Sequence, residues 1–182
     1  MATNDATFTV PGLSVEDGHQ VGELLQIRLH ALNDLQLTLK HAHWNVIGRD
    51  FIGVHEMLDP QIDLVRGFVD DLAERMAALG VPPNGLPGDL VARRTWEDYS
   101  IGRATTVEHL AALDLVYIGV IEDHRKDIQV LDDLDLVTQD MLIGQVQELE
   151  KFQWFIRAHL ENTGGSLRHE GATTEKDAAA KA

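Results

Sequence analysis

Apolar residues recur at helical spacing over four long stretches of the chain. In the first stretch the stripe runs from Val21 to Leu39, and one more turn of the same helix reaches His43. Three later stretches repeat the pattern over residues 51–79, 103–134 and 137–162. The alternation of apolar and polar residues that is typical of strands is essentially missing. The pattern therefore predicts an all-α fold, a four-helix bundle in which the long second connection permits a crossover.

Breaks in this pattern divide the chain. Ser14 and Asp17 resemble a capping box at the start of the first helix, and Pro60 is expected to kink the second helix. A connection rich in Pro and Gly (80–95) then leads to residues 96–99, where we predict a short extra helix between helices two and three. These breaks predict an extended N-terminal arm (1–13), the four-helix bundle (14–165) and a flexible C-terminal tail (166–182).

Composition limits the chemistry that the chain can support. The 182 residues include no cysteine, which excludes disulfides, zinc-thiolate sites, iron–sulfur clusters and a cysteine nucleophile. Any metal must be bound by histidine nitrogen and carboxylate oxygen, a ligand set that suits iron, manganese or zinc. The net charge of −15 repels DNA phosphates unless basic residues are segregated, and it attracts cations. With no signal peptide and no long apolar run, the chain is expected in the cytoplasm and not in a membrane.

Four potential metal ligands lie on one face of the second helix. At ~100° per residue, His55, Asp59, Asp70 and Glu74 fall within roughly a quarter of the circumference. They form two pairs, each with the i, i+4 spacing that lets both side chains reach one ion. The pairs are roughly 16 Å apart along the helix, whereas a metal–ligand bond is only ~2 Å long. One helix therefore cannot bring both pairs to the same ion.

An antiparallel second copy of the helix removes this conflict. His55 and Asp59 of one subunit would face Asp70 and Glu74 of its mate, and a two-fold axis near residues 64–65 would generate two identical sites. His43, on the neighbouring first helix, could complete each site. Two or three ligands from each side leave open positions for a second metal, water or an oxidant.

A simpler interpretation gives the same residues structural roles. Asp70 and Glu74 are ordinary surface charges if they pair with Arg66 or Arg75. A histidine at position 43 of a buried stripe is most often a hydrogen-bonded core residue. Spacing alone leaves these alternatives open.

A joint pattern of residues resembles the Dps family of ferritin-like proteins. It consists of HWN at residues 43–45, His55, Asp59 and DDLAER at residues 70–75, followed by Gly80. The likeness extends over essentially the whole chain, includes KFQWFIRAHLEN at residues 151–162, and looks like that of an actinobacterial member. It implies a ferritin-like four-helix-bundle subunit with a short extra helix in the long connection. It also implies a hollow homododecamer built from two-fold dimers, with ferroxidase centres shared between subunits.

The resemblance also implies a ligand set and a reaction. Carried over position by position, the ligands of one or two iron ions are His43, His55 and Asp59 from one subunit and Asp70 and Glu74 from its dimer mate. Family members are oxidoreductases acting on metal ions. They oxidise Fe(II) with hydrogen peroxide in preference to oxygen, store the ferric mineral in the cage and so protect DNA and the cell.

Three further residues match positions of interest in the family. Trp44 matches the aromatic residue beside the ferroxidase centre and would intercept stray radicals, although packing in the core is an equally good role. Asp135 and Asp140 resemble acidic residues that line a pore for iron at a three-fold axis. Their alternative role is that of acidic residues at a helix N-terminus.

Two other functions compete with iron oxidation. His55-Glu56-Met57-Leu58-Asp59 is one substitution from the HExxH motif of zinc proteases, which would make the protein a metal-dependent amide hydrolase. The alternative is a nucleoid-compacting DNA-binding protein. DNA binding is in doubt because residues 1–13 contain no Lys or Arg and the last 17 residues are close to neutral, although weak contacts repeated across a dodecamer could still bind by avidity.

Overall fold

The computed structural model describes residues 6–182, and helices dominate them. In chain order the elements are α1 (Val15–Asn45), β1 (Val46–Ile47), α2 (Phe51–Ala78), α3 (Pro87–Arg93), β2 (Ala104–Thr105), α4 (Thr106–Leu131), α5 (Leu136–Leu160) and α6 (Glu175–Lys181). Helix α1 packs against α2, and α4 packs against α5. The interior between them is filled by leucines such as Leu32, Leu58, Leu113 and Leu149, all of which are fully buried. The all-α four-helix bundle is confirmed.

The long connection between α2 and α4 does contain a short extra helix, but not at residues 96–99. That placement is wrong, because the helix is α3, which begins with Pro87 and has Asp89 in its first turn. A proline suits the first helical position, where no backbone N–H is needed, and an acidic residue there suits the helix dipole. Residues 96–99 are instead held in a non-helical path, in which the indole of Trp96 donates to Asp34 at 2.7 Å.

Polar residues on α1 hold this connection in place. Gln26 donates to the carbonyl of Asn84 at 2.9 Å, and Nε2 of His30 lies 2.8 Å from Asp89. With Asp34, these residues recur every fourth position, so they share one face of α1. The end of the connection is fixed by parallel pairing of β1 with β2, a short ladder that the apolar pattern did not predict.

The two ends of the chain pack against the bundle. Residues 1–5 of the expected arm lie outside the described residues, but the N–H of Ala6 donates to the carbonyl of Gly80 at 2.9 Å. Gly80 has a φ of 83°, and a Cβ there would lie 2.3 Å from the carbonyl oxygen of Phe8, so only glycine fits. The expectation of a flexible tail at 166–182 is wrong for the observed structure. The tail forms α6 against α4, with Ala178 fully buried, because buried side chains of the bundle hold it in place.

Within residues 6–182, no helix is both long and apolar enough to cross a membrane.

Candidate metal centre

A short turn between α1 and α2 brings the first two candidate ligands together. Helix α1 ends at Asn45 and α2 begins at Phe51, so the two helices must run side by side in opposite directions. Gly48 makes this turn possible, since its φ of 108° is rarely adopted by residues with a side chain. As a result, His43 near the end of α1 meets His55 near the start of α2.

The two histidines fix each other's tautomers. Nδ1 of His43 lies 2.9 Å from the carbonyl oxygen of His55, and Nδ1 of His55 lies 2.9 Å from the carbonyl oxygen of His43. Because a carbonyl can only accept, each Nδ1 carries the proton and each neutral ring keeps its lone pair on Nε2. The rings stack with their centroids 3.6 Å apart. Metal-binding histidines are typically held by such a hydrogen bond from the non-binding nitrogen.

Asp59 lies one turn after His55 and is held by a cation. Its Oδ1 atom lies 3.3 Å from Nδ1 of His43 and 2.9 Å from Nζ of Lys40. The hydrogen bond from Lys40 keeps the pKa of the Asp59 carboxyl below its usual range, so this carboxylate is ionised at neutral pH. Lys40 was not predicted as part of the centre, although its position one turn before His43 in the sequence indicates that it lies on the same face of α1. A metal ion that binds Asp59 has to displace this ammonium group.

We therefore expect Lys40→Met to tighten the binding of Co(II) about two- to five-fold, the range typical of an exposed ion pair. Removal of the lysine frees Asp59 and also removes a positive charge that repels the metal. Calorimetric titration of the assembled proteins with Co(II), which is not readily oxidised by air, gives the Kd of the native protein and the Kd of the variant.

The control is Lys126→Met, which removes a lysine that also pairs with an aspartate, Asp123 on α4, but is more exposed than Lys40. This control should leave the Kd unchanged. Weaker or unaltered binding by Lys40→Met would show that Lys40 does not compete with the metal.

Asp70 and Glu74 lie on the exposed side of α2, away from the histidine pair. The two arginines that could have paired with these carboxylates contact other residues, since Arg75 pairs with Asp135 and Arg66 lies 3.6 Å from Asp63. Across residues 6–182, no three His, Asp or Glu side chains of this single chain are arranged to hold a metal ion. The structure thus brings His43, His55 and Asp59 together and leaves the other two carboxylates facing outwards.

The ligand face of α2 is distinct from the face that this chain buries. It does not coincide with the buried apolar stripe of the helix but lies beside it, with Asp70 and Glu74 exposed. At residues 64–65, where a two-fold axis is expected, Val65 is fully buried in its own chain and Leu64 is partly accessible, so Leu64 is the one of the two that a second copy could contact.

Exposed apolar side chains surround the histidine pair. Trp44 is 70% exposed and Ile52 is 57% exposed, and the ring of Phe51 lies 5.0 Å from that of His55. Packing in the core, the alternative role of Trp44, is therefore wrong for this chain. Clustered apolar residues at the surface are typical of an interface between subunits. The surface beside the histidine pair is suited to a second protein chain.

Asp135 serves as the N-cap of α5. Its carboxylate accepts hydrogen bonds from the backbone N–H groups of Val137 and Thr138, and it pairs with Arg75. Burial raises the pKa of Asp135, but the hydrogen bonds from Thr138 and Arg75 outweigh this effect and keep the pKa below its usual range. The partners of the Asp135 carboxylate are thus residues of its own chain, whereas Asp140, one turn into α5, is exposed.

Comparison with known proteins gives consistent matches. The model of the ferritin-like domain family matches residues 22–165. The chain is 62% identical to the DNA protection during starvation protein of Mycolicibacterium smegmatis over 97% of this chain and 96% of the relative. It is 54% identical to the fine tangled pili major subunit of Haemophilus ducreyi, over 91% of this chain and 89% of that protein.

Solved structures of Dps proteins also match the fold of this chain. The structure of Mycobacterium smegmatis Dps matches with a TM-score of 0.91 and 63% identity, over 93% of this chain and 97% of that chain. A Dps protein from Streptomyces coelicolor matches with a TM-score of 0.88 and 56% identity, over 91% of this chain and 99% of that chain.

Proposed function

Because the chain belongs to the ferritin-like Dps family, we propose that it is a cytoplasmic ferroxidase and iron-storage protein whose centre lies between two subunits. The observation that carries this proposal is the reciprocal hydrogen bonding of His43 and His55, which presents two Nε2 lone pairs beside an exposed apolar surface. Imidazole and carboxylate together suit Fe(II).

Each centre takes its ligands from two chains. His43, His55 and Asp59 of one subunit bind Fe(II) from one side, and Asp70 and Glu74 of the mate bind from the other side. The exposed position of Asp70 and Glu74, without ion pairs in the described part of the chain, supports this division. A second chain that covers the face would bury these carboxylates, and binding of a cation would offset the cost of desolvating them.

The substrate is Fe(II) and the oxidant is hydrogen peroxide or oxygen. Two Fe(II) ions at neighbouring positions each give one electron to one peroxide molecule, so that the O–O bond breaks without release of hydroxyl radical. The ferric ions then hydrolyse to an oxyhydroxide mineral and release protons. In this chain the ionised Asp59 and the Nε2 atoms of His43 and His55 bind the incoming ion, and Lys40 moves aside.

The direct test is Fe(II) oxidation with hydrogen peroxide, followed as ferric absorbance, in the native protein and in Asp70→Ala/Glu74→Ala. We expect the variant to lose at least about 100-fold in rate, more than is typical for loss of a group that only supports a ligand. Asp71→Ala is the control, because it removes another exposed carboxylate of α2 that lies off the ligand face, and it should oxidise iron at the native rate. Equal rates for native protein and the Asp70/Glu74 variant would refute the ferroxidase assignment.

Storage requires the cage as well as the centre. We propose a homododecamer built from two-fold dimers, with Asp140 rather than the capped Asp135 available to draw cations towards a pore. Sedimentation is the companion measurement, because a species no larger than a dimer cannot enclose a mineral.

DNA protection in this proposal comes from the removal of Fe(II) and peroxide. Direct DNA binding is not part of it, since the net charge is −15 and the ordered tail carries only Arg168, Lys176 and Lys181 as basic residues. The hydrolase alternative gains no support, because a zinc protease takes three protein ligands from one chain and the described residues contain no such group.

A further inference from the structure

Tyr99 and His109 form a hydrogen-bonded pair at the edge of the bundle. The Tyr99 hydroxyl lies 3.0 Å from Nδ1 of His109 and 3.5 Å from the His109 carbonyl oxygen, so the ring nitrogen is its closer partner. The His109 side chain is fully buried and Tyr99 is largely buried. Burial lowers the pKa of His109 and raises the pKa of Tyr99. Both groups are therefore neutral at neutral pH, and in the tautomer of His109 that carries its proton on Nε2 the phenol donates to Nδ1.

Contacts of His41 place this pair on the side of α1 opposite to the candidate metal centre. The ring of His41 meets the ring of Tyr99 edge-on, with the centroids 5.9 Å apart, and its Nε2 atom donates to the carbonyl of Ile101 at 2.9 Å. His41 precedes His43 by two residues on α1, so the two histidines project from opposite sides of the helix. The pair therefore lies beyond His41 on the other side of α1, more than one helix diameter (about 10 Å) from the centre.

The other tyrosine of the chain provides a contrast. Tyr117 is fully buried, and its hydroxyl donates to the amide oxygen of Gln61 at 2.7 Å. An amide oxygen accepts a hydrogen bond but is far too weak a base to take the proton. A phenol that loses an electron must also lose its proton to become a neutral radical. Of the two tyrosines in the sequence, only Tyr99 has a base in place to receive it.

We propose that Tyr99, with His109 as the proton acceptor, is a one-electron donor that quenches oxidising radicals formed at the metal centre. This inference rests on the proposed function, which supplies the oxidant. When a single Fe(II) ion reduces peroxide by one electron, the products are Fe(III), hydroxide and a hydroxyl radical. That radical, or a side chain near His43 that it has oxidised, takes one electron from Tyr99.

The step is balanced within the pair. Tyr99 loses one electron to the oxidant, and a hydroxyl radical that gains it becomes hydroxide. The phenolic proton moves to Nδ1 of His109, which becomes imidazolium, and the O–H bond of Tyr99 is replaced by a neutral phenoxyl radical. Each subunit therefore absorbs one oxidising equivalent without the loss of a metal ligand.

The test is freeze-quench electron paramagnetic resonance of the assembled protein after a substoichiometric addition of Fe(II) and then hydrogen peroxide. Protein grown with ring-deuterated tyrosine identifies a tyrosyl signal, because its hyperfine structure collapses while that of a tryptophan radical such as one on Trp44 does not. We expect Tyr99→Phe to lose the tyrosyl signal and Tyr117→Phe, the matched control, to keep it. His109→Gln, which keeps a hydrogen-bonding group but no base, should also lose it. A tyrosyl signal that persists in Tyr99→Phe overturns the proposal.

A second oxidant separates this proposal from the ferroxidase assignment. Azide radical, produced by pulse radiolysis, oxidises phenols without iron, and the transient phenoxyl absorbance should again depend on Tyr99 and not on Tyr117. If the protein fails to oxidise iron but this dependence holds, the redox pair stands and the proposed function fails. If iron is oxidised and no Tyr99 radical forms with peroxide, the proposed role of the pair is wrong.

Discussion

Two inactive variants assembled together are expected to recover about a quarter of the native rate of iron oxidation, as follows from two-fold symmetry. One variant is His55→Ala/Asp59→Ala, which lacks the histidine side of the centre. The other is Asp70→Ala/Glu74→Ala, which lacks the carboxylate side. Each alone leaves every centre incomplete.

Symmetry determines the size of this recovery. A mixed dimer combines the intact histidine side of one chain with the intact carboxylate side of the other at one centre, and it places both defects at the second centre. Random assembly of equal amounts makes half of the dimers mixed, so roughly one centre in four is complete. A centre built within one chain would stay incomplete in every combination.

Co-expression of the two variants with different tags, followed by isolation of mixed assemblies, makes the measurement possible. The matched control combines His43→Ala with His55→Ala/Asp59→Ala. Both defects then lie on the histidine side, so no complete centre can form. Mixed assemblies of the first kind that stay as inactive as this control would exclude a centre shared between two chains.

Asp114→Asn is expected to lower the stability of the subunit by about 3 kcal/mol and to release the C-terminal tail. Asp114 on α4 is only 1% exposed. Its Oδ1 atom accepts from Gln153 at 2.9 Å and from Arg157 at 2.8 Å, and its Oδ2 atom lies 2.9 Å from Nε2 of His169 in the tail. One buried carboxylate therefore links α4, α5 and the tail.

Asparagine has the shape of aspartate but cannot make all of these bonds. One carboxylate oxygen becomes an NH₂ group, which faces a donor on either side, and the negative charge opposite Arg157 is lost. Arg157 is partly exposed and can turn towards water, so the main cost comes from buried donors that lose their acceptor. Because His169 supplies the buried side-chain hydrogen bond between residues 166–174 and the bundle, the tail should detach.

Thermal unfolding at matched protein concentration should show a midpoint lower by roughly 6–12 °C, as expected for this loss in a chain of this size. Trypsin should cleave after Arg168 and Lys176 much faster than in the native protein. The control is Asp177→Asn, an exposed carboxylate of α6 that pairs with Lys181 and should change stability by less than about 0.5 kcal/mol. A tail equally resistant to trypsin in Asp114→Asn and native protein would show that Asp114 does not anchor it.

The sequence by itself determined the helical bundle and predicted which residue types would form the centre. Apolar stripes recur every three to four residues whatever the surroundings, so the four long helices were found to within a few residues. The i, i+4 pairs on α2 follow from helix geometry alone, and their separation of roughly 16 Å excluded a single-chain site. The ligand set remains a prediction, but it required only local geometry and the resemblance to Dps.

Tertiary structure decided the features that depend on residues far apart in the sequence. The tautomers of His43 and His55 follow from a hydrogen-bond exchange between two helices, and the position of Lys40 against Asp59 follows from the packing of α1 on α2. The tail is polar and rich in alanine, and this composition does not indicate whether the bundle offers a buried acceptor such as Asp114 for His169 to contact. The pattern of apolar and polar residues predicts which positions of one segment are buried and where the segment turns. The contacts named above depend instead on which distant segments the fold brings together.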